Sequence, residues 1–383
     1  MLFTFGVEDT YNVPVEPTHV LDVTMEQILL NLNYQNIVPF NRVYSTQRVP
    51  LNREVVGRAD FELTFGNEAW GRIFEVALGK RVRLVNRGFR LHQNGLHVLV
   101  GRLGAPMTKV VEGFSITEPY MGAFDGTNCL LIGDEVINGA VVSNGVVSSS
   151  SRGVLGTDAK THNADDLVYL LDDSANSVDI CGPNVVDGRA RLTKSLTSWI
   201  KRPNSYFQYS GMRMDQMEIN LSPSDIPVMS ISFVGADSTN MSPSIPIETY
   251  DEGGLVSKIY AMSLLEELDL IRLYLNFNNT LVKGTHGLDG IYGDLPLQFQ
   301  NAYGQITWLW STMDNYLAYV NNQKHNLTLH FIDWSKSQPD NIIIFNCNDM
   351  RVNTFSPQYT GGLVIQDTAP IYTYGENQIY LQY

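Results

Sequence analysis

Carboxylates are the side chains of this sequence with the clearest potential for chemistry, and they cluster between positions 165 and 179. The cluster consists of Asp165, Asp166, Asp172, Asp173 and Asp179. Hard cations such as Ca²⁺ bind several carboxylate oxygens, so a calcium site is one interpretation. An EF-hand-type loop that began at Asp172 would need a glycine at 177 and a bidentate acid at 183, where the sequence has Ser177 and Pro183. The spacing therefore favours a solvated acidic loop over a metal site.

Histidine, serine and glycine motifs give no stronger indication of catalysis. His92 and His97 have no carboxylate partner at ligand spacing, and the sequence contains neither HExxH nor a serine-nucleophile elbow. The serine run at 148–151 has no histidine and aspartate placed to activate it, which favours a linker. The glycines of GLDGIYG at 287–293 lack the strand-to-helix context and the GK[ST] ending of a phosphate loop, so a flexible hairpin is preferred. We predict no enzyme activity, no cofactor and no metal.

The three cysteines, Cys129, Cys181 and Cys347, are far apart in the sequence and form no CxxC pair. This pattern predicts buried or inert thiols rather than a zinc or redox site. The first residues lack the basic segment and apolar core of a secretory signal, and no stretch approaches the roughly 20 apolar residues of a membrane helix. We expect a soluble protein that is made in the cytoplasm.

Length and charge limit the class of function. The chain has 383 residues, of which 44% are apolar, and this is enough for two or three cores. A formal net charge of -14 opposes a protein that grips nucleic acid, because phosphate binding depends on Lys and Arg. It does not oppose a protein through which DNA passes, since a passage that bound phosphates tightly would retain its cargo.

An alternating segment at 55–65 predicts a strand with one wet face. Phe61 and Phe65 fall on its apolar face, whereas Asp60 and Glu62 fall on the other. These two aromatic residues are therefore candidates for the core.

A short amphipathic helix should follow this strand. Asn67 is a candidate N-cap, and Gly79 is a candidate left-handed stop. Trp70, Ile73 and Phe74 form an apolar stripe at helical spacing. We expect Trp70 and Phe74 to lie in the core.

The same order of elements occurs twice. The first half has LNYQNIV at 32–38, GRADFELTF from Gly57, the helix, and GMRMDQMEINL from Gly211. A repeat whose apolar faces and strand edges are completed by its neighbours is typical of assemblies.

The second half matches this order in pattern more than in identity. It has LNFNNTLV at 275–282, GQITWLW from Gly304, a helix that Thr312 could cap, and DMRVNTF from Asp349. Trp308 and Trp310 are its candidate core aromatic residues.

The halves differ in what lies between the helix and the late strand. The first half takes more than a hundred residues from Gly79 to Met212, and the second takes roughly thirty from Val320 to Met350. An insertion with strand-like pieces is the simplest explanation, and it predicts a small peripheral β subdomain. We predict a mainly β protein with three parts, namely a first domain at 1–88 and 192–245, an inserted subdomain at 89–191, and a second domain at 246–383.

Three stretches together resemble the tail tube (major tail) proteins of long-tailed, non-contractile bacteriophages, in their tandem double-domain form. They are 55–79, with its strand, helix and alanine-leucine-glycine end; 192–237, which is similar to a Tyr-x-Gly-Met-x-Val hairpin with a Phe-x-Gly end; and 273–331. Met214 stands where the family more often has valine, and the insertion is longer than the family's core accounts for.

The resemblance implies two tandem β-sandwich or half-barrel domains of the tail tube type, each with a short helix. Single-domain relatives form six-membered rings, so a tandem chain should form a homotrimeric ring with six-fold pseudo-symmetry. Rings would stack into a hollow tube for phage DNA within the virion tail, next to tape measure, terminator and baseplate or tip proteins, without a membrane.

The resemblance also suggests which residues line the tube and which connect the rings. The candidate lumen-facing acidic residues are Asp60, Glu62, Asp215 and Glu218. The polar, proline-containing segments 1–18 and 38–51 are candidates for ring stacking. The alternative function is a glycan-binding or glycan-cleaving β-sandwich of a phage or cell surface, with Asp172 and Asp173 in its site.

Overall fold

The computed structural model describes most of the chain. The described residues are 2–37, 47–65, 68–90, 99–110, 113–117, 124, 127–148, 150–202, 205–222, 226–241, 258–263, 266–267, 270–283, 291–309, 320–322, 325–332, 341–352, 358–359, 365–373 and 377–383. Within them the chain forms 27 strands and one α-helix. The predicted mainly β class is confirmed.

The elements of the first half include a long series of strands around the inserted segment. They are β1 (Leu2–Glu8), β2 (His19–Asp22), β3 (Met25–Glu26), β4 (Leu29–Ile37), β5 (Gln47–Glu62), α1 (Glu68–Leu78), β6 (Gly79–Phe89), β7 (Leu99–Leu103), β8 (Phe114–Thr117), β9 (Thr127–Ile132), β10 (Glu135–Ser143), β11 (Val146–Ser148), β12 (Leu167–Pro183), β13 (Val185–Val186), β14 (Arg189–Ala190), β15 (Ser195–Arg202), β16 (Ser205–Leu221), β17 (Val228–Gly235) and β18 (Asp237–Met241).

The second half contributes strands alone within the described residues. They are β19 (Lys258–Ser263), β20 (Glu266–Glu267), β21 (Leu270–Leu281), β22 (Leu297–Leu309), β23 (His325–Ile332), β24 (Ile342–Val352), β25 (Gln358–Tyr359), β26 (Ile365–Thr373) and β27 (Gln378–Gln382). The second predicted helix lies almost wholly outside the described residues.

Both halves contribute to one continuous antiparallel sheet, which we call the eight-strand sheet. Its order is β4-β5-β17-β16-β21-β22-β26-β24. The first four strands come from the first half and the last four from the second. Strands β16 and β21 join the halves, with Glu218 opposite Asn276. We call this pairing the internal junction.

Each half also has a shorter sheet that packs over the eight-strand sheet. The order is β2-β1-β15-β16-β18 in the first half and β20-β19-β23-β24-β27 in the second. The main core lies between these layers. In the first half the ring of Phe3 lies 5.5 Å from that of Phe61, and in the second half Phe277 lies 6.3 Å from Phe345. The two halves therefore share one two-layer topology.

The two strands that belong to both layers change conformation at corresponding residues. Gly211 in β16 has φ 64°, and Asp349 in β24 has φ 53°. Each residue begins one of the matching sequences, GMR and DMR. Close to this point each strand passes from its short sheet into the eight-strand sheet. A left-handed residue here bends the strand, so the sequence match has a structural cause.

The strand registers relate the two halves residue by residue. One set of laterally paired residues is Gly57, Phe233 and Met214, and its counterpart is Gly304, Ile371 and Val352. Both glycines lie against neighbouring backbone. A Cβ atom on Gly57 would lie 2.4 Å from the carbonyl oxygen of Gln27, and one on Gly304 would lie 2.0 Å from that of Tyr274. The close approach explains why both positions are glycine.

The predicted alignment of β4 with β21 is displaced from these registers. Leu32 lies opposite Arg53, whereas Leu275 lies opposite Gly304, the counterpart of Gly57. The registers therefore match Leu29 with Asn276. The similarity of LNYQN to LNFNN is one of composition.

Helix α1 fills the first half of the core. Its buried side chains include Trp70, Ile73 and Phe74, which confirms the predicted apolar stripe. The ring of Trp70 lies 5.8 Å from that of Phe61, and the ring of Phe74 lies 5.7 Å from that of Phe345. Gly79 follows with φ 109°, in agreement with the predicted left-handed stop.

The inserted segment forms strands with apolar packing of their own. Strand β6 pairs with β12 from Gly79 opposite Pro183 to Phe89 opposite Leu171. Strands β7 to β11 extend this ladder around a separate buried cluster. Strand β27 then pairs with both β12 and β24, which attaches the segment to the second half. Strand β6 pairs with β12, which belongs to the inserted segment. This pairing favours a start of the inserted segment at residue 79 instead of the predicted residue 89. The division into domains stays a prediction.

Segment 1–18 is a candidate for ring stacking because of its predicted polar character, and that prediction was wrong for residues 2–8, which form strand β1. Strand β1 lies between β2 and β15, and Phe3 and Phe5 are fully buried. The alternation of phenylalanine with smaller residues in LFTFGVE is the pattern of a strand with one core face. Of the second candidate segment for ring stacking, 38–51, residues 38–46 lie outside the described part.

The prediction of a solvated acidic loop at 165–179 was also wrong. Strand β12 begins at Leu167 and continues to Pro183. Asp179 is fully buried and binds the Arg81 guanidinium at 2.6 Å. The acidic residues of β12 are compensated by arginines that sheet pairing brings from β6 and its end.

No helix among the described residues is both long enough and apolar enough to cross a bilayer.

Candidate functional surface

The face of the eight-strand sheet that points away from the core carries polar side chains. Strand β5 shows the alternation clearly, since Val55, Ala59 and Phe61 are buried in the core. The residues between and beside them point to the other side and are partly exposed, namely Glu54, Val56, Arg58, Asp60 and Glu62. We call this side the polar face.

One row of laterally paired residues crosses the whole polar face. In order from β5 to β24 it consists of Asp60, Ser230, Glu218, Asn276, Tyr303, Tyr372 and Arg351. Hydroxyl and amide groups outnumber charged groups in this row, and both signs of charge occur. The face is therefore polar, but it is not uniformly acidic.

Arg58 joins three neighbouring strands of the polar face. Its Nε donates to Asp60 Oδ1 at 2.8 Å, and its Nη1 donates to Glu218 Oε2 at 3.1 Å. Its Nη2 donates to Ser230 Oγ at 2.6 Å. The hydrogen bond to Asp60 is the main reason that the pKa of Arg58 is raised. We call these four residues the Arg58 cluster.

The cluster extends across the internal junction. The second oxygen of Glu218, Oε1, accepts from the hydroxyl of Tyr274 at 3.1 Å and from Nδ2 of Asn276 at 3.3 Å. Both donors lie on β21, which belongs to the second half of the chain. Glu218 is thus bound by groups from both repeats.

The second repeat has neutral residues where the first has this ion pair. Because Gly304 is the counterpart of Gly57, Gln305 and Thr307 correspond to Arg58 and Asp60. The arginine and the aspartate are therefore both replaced by neutral polar residues. Neither repeat presents an uncompensated arginine at this position.

The four candidate acidic residues do not form one group. Asp60 and Glu218 meet at Arg58, and Glu62 shares their face further along β5. Asp215 lies at a register shift in β16 and binds Nζ of Lys283 at 2.8 Å. The lumen assignment of these residues remains a proposal.

Sequence reasoning did not single out Arg58. Arg58 lies two residues before Asp60, and Glu62 lies two residues after it. The alternation that placed both acids on one face of the strand therefore placed Arg58 on the same face. The contacts of Tyr274 and Asn276 required the pairing of β16 with β21, which no local pattern specifies.

The candidate core residues occupy the following positions. Phe61, Phe65, Trp70 and Phe74 are buried in the main core. Trp308 belongs to β22, although its side chain is outside the described part of the structure, as is all of Trp310.

Other groups considered for chemistry are bound to partners within the chain. Asp172 binds Arg90, whose Nε lies 2.7 Å from its carboxylate oxygens, and Asp173 forms an ion pair with Arg87. These are the acids that a glycan site would have used. Across the described ranges, no group of three or more His, Cys, Asp or Glu residues could hold a metal ion.

The cysteines agree with their prediction. Cys181 and Cys347 are buried, Cys129 is partly buried, and all three are free thiols. Burial raises the pKa of the Cys347 thiol to about 12. A thiol with so high a pKa is not a ready nucleophile at neutral pH.

Two comparisons with known proteins bear on the identity of the chain. A search of the curated proteins gives no match. A family model described as phage tail tube protein matches residues 5–369, which include the inserted segment and most of both repeats. The resemblance seen in the three sequence stretches is thereby confirmed. The chain belongs to the phage tail tube protein family.

Proposed function

We propose that three copies of this chain close into a ring, and that such rings stack into the tube through which phage DNA passes. Membership of the family makes the protein a structural component of the virion tail, which assembles with copies of itself and with other tail proteins. The number of copies, the surfaces that meet and the face that lines the tube are the proposal.

The internal junction is the observation that carries it. Strand β16 of the first repeat pairs with β21 of the second over six residues, from Gln216 opposite Asn278 to Leu221 opposite Leu273. In the repeat, β24 corresponds to β16 and β4 corresponds to β21. A junction between chains would therefore join β24 of one protomer to β4 of the next.

Both of these edges are open as far as the structure describes the chain. Among the described residues, β4 pairs with β5 on one side and with no strand on the other. At Arg351 and Val352, strand β24 has left β23 and pairs with β26, and the strands described in the structure leave its other side uncovered there. Unpaired edges are otherwise prone to aggregation, and closure of a barrel removes them.

Exposed apolar residues mark the β4 edge. Leu29 is 52% exposed and Leu32 is 41% exposed. The counterpart of Leu32 is Asn279, which is buried at the internal junction and donates through Nδ2 to the carbonyl of Met214 on β16. An equivalent junction between chains would cover Leu32 in the same way.

The number of copies follows from the tandem arrangement. Single-domain members of the family form six-membered rings, and this chain supplies two repeats. Three chains would then place six repeats around the ring, with internal junctions alternating with junctions between chains.

The polar face is the candidate wall of the bore. The opposite side of the eight-strand sheet packs in the core, so the polar face is the side of this sheet that a passing molecule could contact. Its hydroxyl and amide groups and the net charge of -14 of the chain disfavour retention of phosphates. Asp60, Glu62 and Glu218 are its proposed acidic residues.

The remaining parts of the proposal concern the context of the tube. The protein would be made in the host cytoplasm, would catalyse no reaction, and would contact tape measure, terminator and baseplate or tip proteins. The inserted segment would lie on the outside of the tube, because it is attached through β6, β12 and β27, away from the polar face.

Electron microscopy of the purified protein tests this proposal. Negative staining at increasing protein concentration should show annuli and then short tubes. A monodisperse monomer at every concentration and ionic strength would contradict it.

A further inference from the structure

We propose that Asp60 and Glu218 mask Arg58, so that the polar face does not bind the phosphates of passing DNA. This inference rests on the proposed function, because it requires that the polar face meets DNA. It assigns to two acidic residues a role that differs from simple repulsion: they occupy the donors of a neighbouring cation.

Arginine is the side chain best suited to hold a phosphate. Its planar guanidinium presents N–H groups that match two phosphate oxygens at once. The side chain of Arg58 is 41% exposed, so it would be accessible to DNA at this face. An unpaired arginine here would bind the phosphates of the DNA and slow its passage.

The geometry of the cluster reduces that capacity. All three nitrogens of the guanidinium donate to neighbours, at 2.8 Å to Asp60, 3.1 Å to Glu218 and 2.6 Å to Ser230. Two negative charges also stand within hydrogen-bond distance of one positive charge. Two of the five N–H groups remain, but a phosphate that bound them would lie beside both carboxylates and be repelled by their charge.

The second repeat supports this interpretation independently. Its residues at the positions of Arg58 and Asp60 are Gln305 and Thr307. Where the cation is absent, the aspartate is absent as well. At this pair of positions the first repeat thus pairs its cation and the second has neutral side chains. Arg272, opposite Thr307, and Arg351 lie elsewhere on the polar face of the second repeat.

DNA binding by two matched variants tests the proposal. The double variant Asp60→Thr with Glu218→Gln retains Arg58 without its acids, and the triple variant adds Arg58→Gln. Thr and Gln are the residues that the second repeat carries at the positions of Asp60 and Arg58. Affinity would be measured by fluorescence anisotropy with a short fluorescent DNA duplex over a range of salt concentrations.

The double variant should bind the duplex, whereas the wild type and the triple variant should both bind it weakly. If each ring exposes three arginines, the slope of log affinity against log salt should be steeper by about 3 in the double variant than in the triple variant. Equal affinity of the double and triple variants would overturn the proposal.

Two further measurements, on single variants and by negative staining, separate a failure of masking from a failure to fold or to form rings. If the double variant does not fold, the single variants Asp60→Thr and Glu218→Gln should each show a smaller gain in affinity, and no gain in either would overturn masking. Negative staining of the same samples tests the ring separately. Rings without a gain in DNA binding would refute masking alone, whereas absence of rings in the wild type would refute the proposed ring.

Discussion

The backbone amides of Gly211 and Asp349 are held in the same way at the same point of the two repeats. The amide of Gly211 donates to Glu8 Oε1 at 3.0 Å, and the amide of Asp349 donates to Asn326 Oδ1 at 3.2 Å. Both residues have a positive φ, and both acceptors are side chains. Where each long strand bends between layers, a side chain thus satisfies an amide that the bend removes from regular pairing.

Replacing Gly211 with alanine should destabilise the protein. The left-handed conformation alone costs a non-glycine residue about 1–2 kcal/mol. A Cβ atom would also lie 2.9 Å from Cβ of Ala236, and this contact adds to the loss. Urea denaturation should show a lower midpoint with little change in slope.

The matched control for this change is Asp349→Gly. It introduces at the second bend the residue that the first bend already has, so the free energy of unfolding should change by less than about 1 kcal/mol. An alanine variant of Gly211 as stable as the wild type would show that the bend does not need this conformation.

Truncation of Phe61 should cost about 3–5 kcal/mol, because a large cavity would form in the core. Its ring packs against Phe3 at 5.5 Å and Trp70 at 5.8 Å. The measurement is chemical denaturation of Phe61→Ala. Glu62→Ala, one residue further and on the polar face, is the control and should change stability little. Similar losses in both variants would contradict the assignment of the two faces.

A buried ion cluster in the inserted segment should make stability depend on pH. Nε2 of His162 lies 2.8 Å from Glu135 Oε2, and its Nδ1 lies 3.5 Å from Asp166. Burial alone would lower the pKa of His162, but the bonds to Asp166 and Glu135 outweigh burial and raise it.

The raised pKa fixes the sign of the effect. Protonated His162 stabilises the folded state fully below its unfolded pKa of about 6.5, and this contribution is lost as the pH rises through the folded pKa. The urea midpoint should therefore decrease from about pH 6.5 upward, and His162→Gln should reduce that decrease. Identical pH profiles of the two proteins would contradict this role.

Glu135 has the opposite dependence. Burial would raise its pKa, but hydrogen bonds from Arg152 and His162 lower it to about 2. Its contribution is present above its unfolded pKa of about 4.3 and is lost as the pH falls toward 2. Since Arg152 is also buried, Glu135→Gln should cost about 3–5 kcal/mol at neutral pH by leaving that charge without its partner. Equal acid sensitivity in the variant and the wild type would contradict the assignment.

Charges on the open edge should prevent assembly without unfolding the chain. Leu29→Lys with Leu32→Lys places two cations on β4, where lysine opposes strand pairing. Size-exclusion chromatography with light scattering should show a folded monomer. Val85→Lys is the control, because Val85 is 63% exposed on β6, away from the edge, and this variant should still assemble. Normal rings from the double variant would exclude β4 as a ring contact.

Local patterns in the sequence predicted individual strands and the helix better than they predicted which strands pair with each other. The alternation around Phe61 and the stripe of α1 were evident because each depends on neighbouring residues. The match of GMR with DMR was also visible, but the left-handed conformation that it encodes was not. A three-residue motif carries no signal of the layer change that gives it meaning.

The errors arose where distant strands pair. Strand β1 lies beside β15, nearly two hundred residues away in sequence, and nothing local to Phe3 or Phe5 specifies that partner. Likewise, the acids of β12 suggested solvent exposure because their arginines lie on another strand. Arg58 was missed for the same reason, because its ion pair with Glu218 forms only when β5, β17 and β16 lie side by side.

The mass and symmetry of the assembled ring test the central claim most directly. Averaged end-on views by cryo-electron microscopy, combined with native mass spectrometry, should give a closed ring of three chains of 42.9 kDa each, with six similar lobes around the bore. A ring of six chains, or a closed monomer in which β4 and β24 are already covered, would contradict it.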